Sequence, residues 1–122
     1  MRQLIIILSL LFVVTSMSGQ SEYYMRQARD YQNQAEFYTK QAQGYDRQVD
    51  YYNRQAQGYL REAEYYSKRE KYDRVRSFQR RAKDATDKAE LYKRKADNSR
   101  EKAQSYMQKA KNALEKAKRQ NK

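Results

Sequence analysis

From residue 22 to residue 67, apolar and polar positions follow a seven-residue rhythm. With Ala28 at position a, the slot recurs at Ala35, Ala42, Val49, Ala56 and Ala63, while position d holds Tyr24, Tyr31, Tyr38, Tyr45, Tyr52, Tyr59 and Tyr66. Apolar residues at a and d are the mark of a helix wound against another helix. On the heptads sits a 14-residue unit written three times over 23–64: YYMRQARDYQNQAE, FYTKQAQGYDRQVD and YYNRQAQGYLREAE. A disordered tail has no reason to hold apolar residues on one face, so the repeat predicts a helix over 20–68.

Position c carries the rest of the repeat: Tyr23, Asp30, Phe37, Gly44, Tyr51, Gly58 and Tyr65. A glycine inside a helix costs about 1 kcal/mol relative to alanine. Two at matching positions predict notches for rings of a neighbouring helix. Phe37, Gly44, Tyr51, Gly58 and Tyr65 are thus the candidate edge for self-association.

After Tyr66 the register fails, with Glu70 and Asp73 in the next seam slots. It resumes at Val75 and continues through Ala82, Ala89, Ala96, Ala103, Ala110 and Ala117 at a, and Phe78, Ala85, Tyr92, Ser99, Tyr106 and Ala113 at d. The twelve residues from Ala63 to Val75 displace the seam by about a third of a turn. One straight helix would therefore point its two apolar halves in different directions, whereas a hairpin would not. Folding about residues 67–74 sets Tyr rings of the first arm against Ala of the second, as in Tyr52 with Ala89, Tyr45 with Ala96 and Tyr31 with Ala110.

The expected fold is all-α: a long antiparallel two-helix hairpin, an Ala/Tyr heptad coiled coil that pairs with a second copy into a four-helix bundle. The alternative is one long bent helix in an oligomeric coiled coil. The arms are 20–68 and 75–122, joined by a turn or hinge at 69–74 that lacks Gly and Pro, with Asp73 as a candidate cap. A narrow seam of Ala and half-covered Tyr argues for a second interface, to which Leu60, Leu91, Met107 and Leu114 would contribute.

Charge divides unevenly between the arms. Residues 20–68 hold seven basic and seven acidic side chains, whereas residues 69–122 hold nineteen and eight. Arg74, Arg81, Lys88, Lys95, Lys102, Lys109 and Lys116 occupy every g slot of the second arm and are candidate contacts for a polyanion. In a parallel dimer this edge would meet like charge, which favours the hairpin.

Cys and His are absent. That removes thiol ligands, the usual zinc sites and Ser-His or Cys-His pairs, so no catalytic residue, metal or cofactor is expected. The carboxylates fall at helical spacing beside basic residues, as in a solvated ion-pair face. Residues 1–19 place Arg2 before an apolar run of eleven residues, Leu4–Val14, and end in Thr15, Ser16, Ser18 and Gly19. The order is that of a secretory signal peptide, and the run is shorter than the roughly 20 residues a membrane span requires.

The sequence thus predicts an exported, non-lipidated, non-catalytic structural or scaffolding protein of the cell envelope or secreted matrix. Its Ala heptads and Lys-rich end resemble those of small bacterial envelope lipoproteins, although the lipid-bearing Cys is missing and no residue role follows from the resemblance. One alternative is a protein that binds an anionic polymer or anionic membrane surface through its basic arm. Another is a Tyr-rich adhesive or matrix protein. The expected partner is a second copy of the chain; a small-molecule substrate and specific intracellular nucleic-acid binding are disfavoured.

Overall fold

The computed structural model describes residues 19–120, and the expected signal peptide lies outside these residues except for Gly19. Two helices make up the described chain: α1, Gly19–Ser67, and α2, Tyr72–Gln120, each of 49 residues. They pack side by side as an antiparallel hairpin about 70 Å long at 1.5 Å per residue. No helix among the described residues is long and apolar enough to cross a membrane.

Alanine forms the centre of the seam. Ala28, Ala35, Ala42, Ala56 and Ala63 of α1 are buried. Facing them, α2 buries Ala82, Ala85, Ala89, Ala96, Ser99, Ala103, Ala110, Ala113 and Ala117. Small side chains let the two backbones approach closely, and Ala costs the least conformational entropy of any helix former. Val49 and Val75 are half-buried, as are the seam rings Tyr24, Tyr31, Tyr38, Tyr45, Tyr52, Tyr59, Tyr66, Phe78, Tyr92 and Tyr106. The rings therefore flank the methyl groups, shielding them from water while keeping an edge exposed.

The link is tighter than the 69–74 segment expected from the apolar pattern. α1 stops at Ser67 and α2 starts at Tyr72, three residues before its seam does, because a helix can begin before it has an apolar face to bury. The Lys71 amide donates to the Tyr66 carbonyl at 3.0 Å and the Glu70 amide to that of Ser67 at 3.0 Å. This is the paired bonding of a Schellman ending, which satisfies carbonyls the last helical turn leaves open. Glu70 takes the left-handed backbone conformation this ending needs, with φ 57°, a position usually held by Gly. The carbonyl of Lys71 accepts the first amides of α2, from Arg74 and Val75. Asp73, the expected cap, instead lies within the first turn and pairs with Arg76.

Polar contacts between the arms supplement the apolar seam. Ser21 Oγ donates to the Ala117 carbonyl at 2.8 Å, Ser99 Oγ to Gln41 Oε1 at 2.9 Å, and Arg100 to Asp46 at 2.8 Å. One lies at the open end and two near the middle, so together they oppose sliding of one arm along the other.

Candidate functional site

Three ring clusters repeat along the rod. Phe78 lies between Tyr59 and Tyr66, Tyr92 between Tyr45 and Tyr52, and Tyr106 between Tyr31 and Tyr38. In each cluster one α1 ring is nearly parallel to the α2 ring, 4–8° between planes, with centroids 5.7–5.8 Å apart. The other is tilted by 33–35° at 5.9–6.2 Å. Offset parallel and tilted pairs are the favoured geometries for aromatic quadrupoles, worth about 0.5–1.5 kcal/mol each beyond area burial. The signal for these clusters is the α2 d slot, where rings at 78, 92 and 106 alternate with small residues at the same 14-residue spacing as the α1 repeat.

The seven g-slot cations of α2 also find ring partners. Arg74 lies over Tyr66, Lys88 over Tyr52, Lys102 over Tyr38 and Lys116 over Tyr24, at 5.1–5.7 Å from the centroids. Lys95 reaches both Tyr45 and Tyr92, Lys109 both Tyr31 and Tyr106, and Arg81 lies over Phe78. Each cation sits near the negative face of a ring, an attraction of about 0.5–1 kcal/mol at exposed sites. All seven residues remain exposed and form a row with one charge about every 10 Å.

Position c of α1 lies on an open face. Tyr23, Phe37, Tyr51 and Tyr65 are 49–57% exposed. Each rests edge-on against the following seam tyrosine, with interplanar angles of 71–88° and centroids 5.0–5.3 Å apart. Between the later rings, Gly44 and Gly58 face space a side chain could fill. A Cβ at Gly44 would meet only the Arg47 guanidinium, at 3.8 Å, and one at Gly58 only that of Arg61, at 4.0 Å. Nothing within the hairpin therefore requires glycine at either place. Of the other apolar side chains expected to join a second interface, Leu60, Leu91 and Met107 are exposed and Leu114 is half-buried.

Electrostatics within the hairpin are mostly local. Arg100 is held by Asp97 at 2.7 Å and Asp46 at 2.8 Å; the Asp97 hydrogen bond is the main influence raising its pKa, partly opposed by burial and reinforced by Asp46. Exposed Lys83 is also raised, through its hydrogen bond to Asp87. Among the described residues no group of three or more acidic side chains is placed to hold a metal ion. What the arrangement offers is two parallel surfaces: a cationic row over rings and an open row of rings and glycines.

Compared with protein-family models, curated proteins and solved structures, the chain shows no match.

Proposed function

We propose that the protein is an exported, non-catalytic coiled-coil rod with a structural or scaffolding role in the cell envelope or a secreted matrix, associating with other copies through helix packing. The observation that carries this reading is the open row of Phe37, Tyr51 and Tyr65, half exposed on a hairpin whose own seam is closed without them. Regularly spaced exposed rings are costly to leave in water and suit a surface that is covered by a partner. The test is recovery of the exported protein from its native envelope or medium, with the bound material identified by class. Assemblies of the chain beginning at residue 19 or 20 are expected. An intact Met1 start would remove export, and a solitary monomer would remove the scaffold.

A second reading, binding of an anionic polymer or anionic membrane surface, is supported by the exposed cationic row of α2 and the excess of nineteen basic over eight acidic residues in 69–122. Its test is retention on sulfated polysaccharide, and on vesicles with and without anionic lipid, across a salt series. Binding through the row should weaken steeply as salt rises.

A further inference from the structure

We infer that two copies of the hairpin pair antiparallel through α1, with Phe37 of each seated on Gly58 of the other and Tyr51 seated on Gly44. This deepens the scaffold reading and rests on it, since it specifies how helix packing joins the copies.

Phe37 and Tyr51 are fourteen residues apart, and so are Gly44 and Gly58. When one helix is reversed against another, knobs and notches with the same interval coincide at both places. A two-fold axis near residues 47 and 48 generates four ring-on-glycine contacts, which makes the interface self-complementary and closed. Space for the rings exists already, because only a guanidinium lies over each glycine and it is the far end of a flexible side chain.

Charge selects among the registers that the repeat allows. Each glycine has an arginine three residues later, Arg47 or Arg61, and neither forms an ion pair among the described residues. On the same flank lie Glu22, Glu36, Asp50 and Glu64. Glu22 is engaged by Arg26 and Glu64 by Lys68, leaving Glu36 and Asp50 without an ion-pair partner among the described residues. In the inferred register Asp50 falls beside Arg47 of the second copy and Glu36 beside Arg61. These pairs offset the approach of Arg47 and Arg61 of the two copies. A slip of fourteen residues in either direction again places rings on glycine, but must draw on Glu22 or Glu64 in place of one of the free acids. In the inferred register Tyr65 faces Asp30 of the second copy, where a phenol hydroxyl can donate to the carboxylate.

The test is oxidative cross-linking of the full chain, combined with sedimentation to measure mass. A mixture of Gly44→Cys and Tyr51→Cys chains should cross-link into dimers, whereas either variant alone should not. Gly44→Leu/Gly58→Leu should retain full helicity, because the positions are open within the hairpin, yet shift to monomer mass. Cross-linking of Gly44→Cys with Phe37→Cys instead, or wild-type dimers without the 44–51 link, would overturn this register and leave the scaffold reading intact. A monomeric wild-type chain at micromolar concentration would overturn both.

Discussion

The ring of Tyr92 lies nearly parallel to that of Tyr52, with 8° between their planes and 5.7 Å between centroids, while Tyr45 leans on its other side at 5.9 Å. One α2 ring thus bridges two turns of the α1 repeat. Tyr92→Ala should destabilise the hairpin by about 3 kcal/mol, the burial and two ring contacts being lost together. Tyr92→Phe, which preserves the ring, should cost about 0.5 kcal/mol or less. Urea unfolding followed by circular dichroism measures both. Equal losses would mean that the hydroxyl, not the stacking, matters.

Lys95 touches Tyr45 and Tyr92 at 5.9 and 5.2 Å, so it is the test for the cationic row. Lys95→Gln should destabilise by about 0.5–1 kcal/mol and Lys95→Arg by little, since a guanidinium also lies well over a ring. If Lys95→Gln leaves stability unchanged in the same unfolding assay, the ring contacts of this residue contribute nothing measurable.

Much of the fold was legible because two independent patterns agreed. The twelve-residue interval from Ala63 to Val75 turned the apolar stripe aside, which a hairpin accommodates and a straight helix does not. The unbroken cationic edge then disfavoured a parallel dimer. The three-ring clusters were harder to read, because Phe78, Tyr92 and Tyr106 each face an interval between two tyrosines and not a single residue. Pairing residues one to one along the seam assigns each ring a single partner. The lysines of the g slot were legible as a charged row, but their ring partners depend on how far an ammonium on a flexible stem reaches across the seam. The turn was least legible of all, since no Gly or Pro marks it and Glu70 supplies the left-handed residue.

Ala96 is fully buried in the seam, with 0% exposure, one turn along α2 from Tyr92, the ring that packs against Tyr45 and Tyr52. Ala96→Leu should force the arms apart there and cost about 1–3 kcal/mol by overpacking. The neighbouring stack should loosen with it, giving weaker near-ultraviolet circular dichroism from Tyr while the far-ultraviolet helical signal remains. A variant as stable as wild type with an unchanged tyrosine signal would show that the seam has more room than the packing of Ala96 implies.

Arg100 and Asp46 form the one ion pair between the arms among the described residues, at 2.8 Å. Both side chains are nearly half exposed, so a double-mutant cycle with Arg100→Gln and Asp46→Asn should give a coupling of only about 0.2–1 kcal/mol, mostly gone in 1 M salt. The upward shift on Arg100 fixes the pH sign: a cation with a raised folded-state pKa contributes fully below its ordinary value and loses that contribution only as pH climbs through the folded value, far above neutral. Mild alkali should therefore leave the coupling in place where salt removes it. A coupling unchanged by salt would argue that hydrogen-bond geometry dominates charge.

Glu70 holds φ 57° between helices whose ends bond across it, the Lys71 amide to Tyr66 and its own amide to Ser67. An L-residue with a Cβ pays about 1–2 kcal/mol in this conformation, whereas Gly adopts it without clash but gives up more freedom on folding. The net expectation for Glu70→Gly is a gain of about 1 kcal/mol and a rise of several degrees in Tm. Glu70→Val should do the opposite, because branching at Cβ makes the left-handed region costlier still. The ordering Gly above Glu above Val in thermal unfolding is the signature of the turn. If Glu70→Gly melts lower than wild type, residue 70 is not left-handed in solution, and the two arms must be joined in some other way.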